Sequence, residues 1–351
     1  MLRTRAAVAC LLMLVVWSTA TVIADEVPHP TIVGAIDHSP SVYTQGLEVR
    51  NGSLFESAGL QDATREGGSR LMKRNLTTFD VEIDVDLTAV VGDVFAEGIT
   101  LHGDDLIMLT WRNGTAHVFD ATNLTYQNRS FSYDGEGWGI CSMDDRLMMS
   151  NGTAGLQIRD PTNFSLLGEI TLRYRIPTEA NISGPSEPRL NELECHDGMV
   201  YANVWMTPLI LAIDVDAGNV TNVVDLRHAN WSLPDRSIDE AGRLSLNGSR
   251  IGNNDAVLNG IAWDETRNGF LISGKDWPET YLINDLANWT IGSAWDVSSP
   301  ESDSEAAPGP ATPAPMAPSR AWIVLICAGI ATTGLLLIRR IEALIILGNE
   351  V

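Results

Sequence analysis

The chain has 351 residues, and its 45 Asp and Glu residues outnumber the 23 Lys and Arg residues, giving a formal net charge of −22. So acidic a surface repels phosphate backbones and anionic headgroups, which argues against nucleic acid and anionic membrane surfaces as partners. The length allows one or two domains.

The N-terminus has the pattern of a secretory signal peptide. Arg3 and Arg5 precede an apolar stretch over Ala6–Val16, and the segment that ends at Ala24 offers a cleavage site. We therefore predict a signal peptide over residues 1–24. An uncleaved N-terminal anchor is the alternative.

A two-strand pattern recurs five times along the chain. In each copy an acidic or amide residue opens an apolar strand, a polar turn follows, and a second apolar strand ends near Thr, Ser, Trp or Lys. The openers are Gln45, Glu97, Glu136, Asn191 and Asn259. Repeats of this size predict an all-β fold, a five-bladed β-propeller with one four-stranded blade per repeat. The polar openers are then expected to meet at one mouth of the central channel.

Further short segments complete the predicted blades. The third strands are predicted at Val118–Asp120, Gln157–Arg159, Leu211–Asp214 and Tyr281–Asn284. The fourth strands are predicted at Phe131–Tyr133, Glu169–Leu172, Val220–Leu226 and Thr290–Trp295. A strand at Thr31–Asp37 is expected to join the blade that begins at Asn259 and to close the ring, which leaves no free sheet edge there.

Two insertions interrupt the repeats. One covers Gly59–Arg74 within the first blade, and the other covers Trp231–Asp255 between the fourth and fifth blades. Each either caps a channel mouth or forms a passive surface loop, and the polar, turn-rich composition of the second favours the passive loop.

The C-terminal part predicts a membrane anchor. The propeller is expected over residues 25–297, followed by a disordered stalk rich in Pro, Ala, Ser and acid over residues 298–320. Ala321–Ile338 is a run of 18 residues without a charge, and Arg339 and Arg340 follow it, which predicts a single membrane-spanning helix and a cytoplasmic tail over residues 339–351. The protein is therefore expected to be exported and held at the cell surface, with the propeller outside.

Cysteines and glycosylation motifs fit an exported protein. Cys141 and Cys195 fall on the first strands of adjacent repeats, where they form either a disulfide or two free buried thiols. The chain has 12 Asn-x-Ser/Thr sequons, which indicates a glycoprotein. Without a CxxC pair or a clustered His–Cys pattern, we expect neither a metal nor a cofactor.

Six motifs in order resemble a known family. They read YTQGLE, AEGIT…LTW, EGWG, LNELE…ANVW, LNGIAW and SGKDWP between Tyr43 and Tyr281. Together they resemble the plant and bacterial type of glutaminyl-peptide cyclotransferase. The resemblance implies a five-bladed propeller that converts the N-terminal glutamine of a peptide or protein to pyroglutamate and releases ammonia without a metal. The chain departs from the family in the Gly67–Met72 segment, where Met72 replaces the usual Arg, and in its stalk and membrane segment.

The reaction is intramolecular and needs no enzyme nucleophile. The site has to hold a curled glutamine, move a proton from the amine to the departing ammonia, and stabilise an oxyanion. Glu97 opens a central strand, and the resemblance implies that it is the proton shuttle. The alternatives for Glu97 are a turn cap or an ion pair with an Arg. Other acidic residues are rivals for the shuttle: Glu48, Glu136, Glu192 and Glu194.

Substrate binding is predicted for residues of three chemical kinds. Indole rings would wall the pocket, amides would orient the substrate carboxamide, and charged groups would hold the ammonium or the oxyanion. These residues are Trp111, Trp138, Trp205, Gln45, Asn191, Asn203, Asn259, Glu136, Glu192 and Lys275. The alternatives are core packing for the tryptophans, turn capping for Asn259 and a surface position for Lys275.

The alternative function is a catalytically silent, exported propeller that binds peptides. A metal-dependent hydrolase is a third possibility, for which no convincing set of ligands is present. In either of the first two cases we expect a monomer whose partner is a peptide or protein with N-terminal glutamine.

Overall fold

The computed structural model describes residues 30–38, 42–59, 68–176, 181–182 and 186–284. Within them the only helices are an α-helix at Thr88–Val91 and a 3-10 helix at Leu226–His228, and the rest of the regular structure is β. The same residues contain no helix of the length and apolarity that a membrane crossing needs. The predicted signal peptide, strand Thr290–Trp295, stalk, membrane helix and tail lie outside the described residues.

Strands are numbered from β1 (Thr31–Asp37), and four sheets each contain four consecutive antiparallel strands. Sheet 1 consists of β2 (Thr44–Arg50), β3 (Ser53–Ala58), β4 (Arg70–Asn75) and β5 (Val81–Asp86). Sheet 2 consists of β6 (Ala96–His102), β7 (Asp105–Thr110), β8 (Thr115–Asp120) and β9 (Tyr126–Ser132). Sheet 3 consists of β10 (Ile140–Met143), β11 (Arg146–Ser150), β12 (Gly155–Arg159) and β13 (Leu166–Thr171). Sheet 4 consists of β14 (Leu190–His196), β15 (Met199–Val204), β16 (Leu209–Asp214) and β17 (Asn219–Asp225).

The remaining strands form two sheets. Strands β18 (Asn230–Trp231), β19 (Arg236–Ile238), β20 (Leu244–Leu246) and β21 (Ser249–Arg250) follow sheet 4 in the chain, and β19–β21 make a small separate sheet. Sheet 5 has the order β18, β1, β24 (Glu279–Asn284), β23 (Gly269–Gly274) and β22 (Leu258–Asp264). The pairing of β1 with β24 runs from Thr31 opposite Asn284 to Asp37 opposite Glu279. It confirms that Thr31–Asp37 joins the sheet that contains Asn259.

The first strands of the five large sheets contact one another in cyclic order, β2 with β6, β6 with β10, β10 with β14, β14 with β22, and β22 with β2. The second strand of each large sheet is buried on both faces. On β7, Leu106 and Met108 pack towards Phe55 of sheet 1, whereas Ile107 and Leu109 pack towards Ile140 of sheet 3. Apolar residues therefore follow one another without alternation, as expected for a strand covered on both sides.

The predicted third strands lie within β8, β12, β16 and β24, as expected. Three other sequence predictions change in detail. The first insertion is shorter than Gly59–Arg74, because Arg70–Arg74 belongs to β4, where Leu71 and Met72 are fully buried. Met72 packs with Val42 and Ala58, so its position faces the core.

The second insertion contains β19–β21 rather than an irregular loop. In sheet 3 the first strand begins at Ile140, so Glu136 precedes the strand that it was predicted to open.

Cys141 on β10 and Cys195 on β14 are joined by a disulfide, with 5.4 Å between their Cα atoms. This confirms the disulfide over two free thiols. The bond links the first strands of sheets 3 and 4 directly.

Candidate active site

A cavity of about 600 Å³ lies where the first strands begin. It brings together most of the predicted site residues, namely Gln45, Glu97, Trp111, Glu136, Trp138, Asn191, Trp205 and Lys275. It is also lined by Tyr43, Phe95, Arg112, Arg189, Met206 and Asp255, which were not predicted. We call the deeply buried lining residues Gln45, Glu97, Asn191 and Lys275 the floor, and the more exposed lining residues Trp111, Arg112, Glu136 and Arg189 the rim.

Four of the five predicted openers lie where strand pairing is irregular, and three of these, Gln45, Glu97 and Asn191, line the cavity. The register shifts between Thr44 and Gly46, between Ala96 and Ile99, between Leu190 and Leu193, and between Leu258 and Ile261. A bulge of this kind bends a strand and re-aims a side chain. Each shift spans one predicted opener, so the same local distortion is repeated in four of the five sheets.

Glycine at two positions lets the inner strands approach at backbone contact. A Cβ atom on Gly98 would lie 2.7 Å from both the Gly139 Cα and the Trp138 carbonyl oxygen. A Cβ atom on Gly139 would lie 2.2 Å from the Asn191 carbonyl oxygen. No other residue fits so short a separation. Glu97, Trp138 and Asn191, each next to one of these contacts, are thereby held side by side.

Side chains from neighbouring sheets fix the openers further. Ser57 Oγ donates to the Glu97 carbonyl oxygen at 2.5 Å, and Ser150 Oγ donates to the Asn191 carbonyl oxygen at 2.5 Å. Asn259 Nδ2 donates to the Thr44 carbonyl oxygen and to Gln45 Oε1, both at 2.9 Å. Each opener is thus held from the adjacent sheet as well as from its own.

Glu97 is a buried carboxyl group, 6% exposed. Burial raises its pKa well above the ordinary value, the nearby Glu136 charge raises it further, and the Lys275 charge opposes both. Among the described residues none donates a hydrogen bond to this carboxylate and no Arg pairs with it. Its environment therefore differs from a turn cap or a structural ion pair.

Lys275 is the buried cation of the floor. Burial lowers the pKa of its ammonium group, while the charges of Glu97, Asp255 and Asp276 act in the opposite direction. Its Nζ atom lies 4.8 Å from the centre of the Tyr43 ring. The alternative of a surface lysine is therefore wrong.

Glu136 lies at the rim, with 38% of its side chain exposed. Trp111 Nε1 and Trp138 Nε1 donate to its Oε2 atom at 2.8 and 2.9 Å, and Arg112 Nε donates to its Oε1 atom at 3.1 Å. Burial alone would raise the pKa of Glu136, but these three hydrogen bonds outweigh it and hold the pKa below its ordinary value. The two indole N–H groups therefore serve Glu136 in this structure.

Cations cover the faces of the cavity tryptophans. The Arg112 guanidinium lies 3.7 Å from the centre of the Trp111 ring. The Arg189 guanidinium lies 4.3 Å from Trp205 and 5.0 Å from Trp138. Such stacking fixes both the rings and the cations at the rim.

Three of the six lining residues that sequence reasoning missed share a simple relation to the openers. Tyr43, Phe95 and Arg189 each precede an opener by two positions, as Glu136 precedes Trp138. Side chains two apart on a strand share a side, so this spacing was a usable signal. Asp255 comes from the second insertion, which carries no such signal.

Three predicted substrate-binding residues lie outside the cavity lining. Glu192 accepts hydrogen bonds from Leu47 N at 3.3 Å and Ile261 N at 2.7 Å, and Asn203 Oδ1 accepts one from Gly260 N at 2.8 Å. Asn259 holds Gln45 as described above. These residues tie sheets 4, 5 and 1 together beneath the floor. Successive side chains of a strand point to opposite sides, so a residue next to one that faces the cavity points away from it.

Three of the four rival carboxylates, Glu48, Glu192 and Glu194, are also outside the cavity lining. Glu48 accepts hydrogen bonds from Thr100 Oγ1 at 3.1 Å and Leu101 N at 3.2 Å, and burial raises its pKa to about 7. Burial likewise raises the pKa values of Glu192 and Glu194 well above the ordinary value. Within the described part of the chain no group of three or more His, Cys, Asp or Glu side chains is arranged to hold a metal ion.

Comparison with known proteins points to one family. The family model of glutamine cyclotransferase matches residues 6–284. The glutaminyl-peptide cyclotransferase of Arabidopsis thaliana is 31% identical over 253 residues, covering 72% of this chain and 70% of that protein. The crystal structure of Myxococcus xanthus glutaminyl cyclase matches with a TM-score of 0.57 at 30% identity, covering 73% of this chain and 95% of the other. The chain therefore belongs to the glutamine cyclotransferase family.

Proposed function

We propose that this chain converts the N-terminal glutamine of peptides or proteins to pyroglutamate and releases ammonia. The observation that carries the proposal is Glu97, a buried carboxyl group with a raised pKa, beside Lys275 in a cavity walled by aromatic rings. Membership of the glutamine cyclotransferase family supports the same activity. No bond to the enzyme is needed, since nucleophile and electrophile belong to one residue of the substrate.

The reaction proceeds through one proton shuttle. The α-amine nitrogen attacks the carbon of the γ-carboxamide, and the carbonyl electrons move to oxygen. Glu97, ionised, takes a proton from the attacking nitrogen. Glu97 then gives this proton to the carboxamide nitrogen as the C–N bond breaks, the carbonyl re-forms and ammonia leaves. A carboxyl group whose pKa is raised above its ordinary value suits both halves of this transfer.

In this proposal two floor residues stabilise the oxyanion. Asn191 Nδ2 is buried and has no hydrogen-bond partner among the described residues, so it is available to donate to the substrate oxygen. The Lys275 ammonium supplies the positive charge. Gln45, fixed by Asn259, orients the substrate carboxamide.

The rim serves substrate entry. Glu136 is held ionised by its three donors and attracts the α-ammonium of the incoming peptide. Trp111, Trp138 and Trp205 keep water from the curled glutamine. Positioning of this kind contributes on the order of 7–11 kcal/mol to an intramolecular reaction.

The finer architecture is also part of the proposal. Five large sheets whose first strands contact in cyclic order, and the β1–β24 pairing, support a five-bladed β-propeller over residues 25–297. The sequence supports a cleaved signal peptide over residues 1–24, a stalk over 298–320, a membrane helix over 321–338 and a cytoplasmic tail over 339–351. The protein is accordingly a monomeric, glycosylated enzyme displayed at the cell surface.

The test uses the purified full chain with a peptide that begins with glutamine. We expect stoichiometric release of ammonia, a matching loss of mass from the peptide, and activity that survives treatment with EDTA. Binding of the peptide without release of ammonia would instead identify a catalytically silent propeller. Loss of activity on chelation that zinc restores would favour the metal-dependent alternative.

A further inference from the structure

We infer that Arg189 binds a carboxylate of the substrate immediately beyond the reacting glutamine. The carboxylate comes from an acidic second residue or from the C-terminus of a dipeptide. The inference rests on the proposed function, since it adds a subsite to the same cavity.

Arg189 is held in place by four contacts. Its guanidinium lies over Trp205 and Trp138, and its Nε atom donates to the Gly152 carbonyl oxygen at 3.3 Å. Its own carbonyl oxygen accepts a hydrogen bond from Trp205 N at 2.9 Å. A guanidinium fixed in this way loses little further conformational freedom when it binds a ligand.

The terminal nitrogens of Arg189 have no partner among the described residues. They donate to no residue that the structure describes, and no carboxylate of those residues lies within 4.0 Å of the guanidinium. Arg112, on the same rim, has its Nε 3.1 Å from Glu136. Arg189 lines the cavity without a carboxylate partner among the described residues, although acidic residues outnumber basic ones by 45 to 23 in the chain. Two parallel N–H groups match the geometry of a carboxylate.

The position of Arg189 selects the second residue of the substrate. Arg189 immediately precedes β14 and lines the same cavity as Asn191, which lies two residues further along the chain. The reacting glutamine occupies the floor around Glu97 and Asn191, and its own α-carboxyl group is part of a peptide bond. The rest of the peptide leaves across the rim, and a distance of about two extended residues brings the next side chain or the C-terminus to Arg189.

The experiment compares isosteric peptides. The wild type and Arg189→Gln are assayed with Gln-Glu-Ala-amide and Gln-Gln-Ala-amide. We expect the wild type to favour the acidic peptide by about 5–10-fold in kcat/KM. The difference should lie mainly in KM, because a partly exposed charge pair adds a modest amount of binding free energy. Arg189→Gln should turn over both peptides with the same kcat/KM, and Arg189→Lys should keep part of the preference. Arg129→Gln, which removes an exposed arginine paired with Asp105, is the matched control.

Two further arms separate the outcomes. Gln-Gly against Gln-Gly-amide shows whether a C-terminal carboxylate occupies the subsite. Calorimetric binding of the products pyroglutamyl-Glu-Ala-amide and pyroglutamyl-Gln-Ala-amide reports on Arg189 without turnover. If the wild type converts no peptide, the proposed function fails, but a preference for the acidic product that Arg189→Gln removes still supports the subsite. Equal affinity of the wild type for both products overturns the subsite, whatever the activity.

Discussion

The floor and the rim of the cavity each contain one glutamate, and the two environments move the pKa in opposite directions. Glu97 in the floor is buried, and no described residue donates to its carboxylate, so its pKa is raised. Glu136 at the rim accepts from two indoles and one guanidinium, so its pKa is lowered. The contrast supports the proposal that Glu97 transfers the proton and Glu136 supplies a fixed negative charge, since a shuttle has to gain and lose a proton.

The largest effect should come from Glu97→Gln, which keeps the shape of the side chain but removes its ability to carry a proton. We expect kcat to fall by about 10²–10⁴-fold with little change in KM. Steady-state release of ammonia measures both constants. Glu187→Gln, an exposed change, is the control. Near-normal turnover in Glu97→Gln would exclude it as the shuttle.

Lys275→Met should shift the pH profile. The Lys275 charge favours ionised Glu97, so its loss raises the pKa of Glu97 further. Because Glu97 has to be ionised to accept the first proton, activity rises with pH, and the rise should move to higher pH in the variant. At neutral pH the rate should fall, because a smaller fraction of Glu97 is ionised.

Lys73 offers a matched control, since it is the other lysine of the chain and donates at the surface to the Thr122 carbonyl oxygen. Lys73→Met should leave the profile unchanged. An unshifted profile in Lys275→Met, with fold intact by circular dichroism, contradicts the electrostatic coupling within the floor.

Glu136→Gln should mainly weaken substrate binding. The amide oxygen still accepts from an indole, but the negative charge that attracts the substrate ammonium is lost. We expect KM to rise about 5–10-fold while kcat stays within about threefold. If kcat collapses in this variant and survives in Glu97→Gln, the roles of rim and floor are reversed.

The disulfide should have the smallest effect on activity. Cys141 and Cys195 close a sequence separation of 54 residues, for which loop entropy gives about 4 kcal/mol of stability. The double change of both residues to Ala should lower Tm by roughly 10 °C. Turnover at 25 °C should remain close to that of the wild type, because serine and asparagine hydrogen bonds also fix the openers. A large loss of turnover at 25 °C would show that the bond positions the floor.

The sequence predicted those features that short stretches encode. Alternating short apolar strands and turns located the third strands, and the motif around Glu97 located a buried carboxyl group that lines the cavity. The closing pair of β1 with β24 was predicted from the leftover strand at Thr31–Asp37. What the pattern missed depends on how strands from different sheets meet.

Register was the main source of error. Glu136 was taken as the third opener. However, Gly98 follows Glu97 and contacts Gly139, and Gly139 in turn contacts Asn191. The residue before Gly139, which is Trp138, therefore occupies the position in sheet 3 that Glu97 occupies in sheet 2. The bulges that aim the openers into the cavity leave no mark in hydrophobic periodicity. Asp255 reaches the cavity from an insertion, where only three-dimensional packing decides its place.

The pairing of β1 with β24 also bears on the order in which the protein folds during synthesis. Thr31–Asp37 leaves the ribosome early, while its partner Glu279–Asn284 is among the last described residues to appear. Sheet 5 therefore has to wait for nearly the entire domain, and so long a sequence separation slows closure. A nascent chain that stops before Glu279 should remain sensitive to protease at Thr31–Asp37, and a longer chain should become resistant. Protection of that strand before Glu279 is made would show that another partner covers it first.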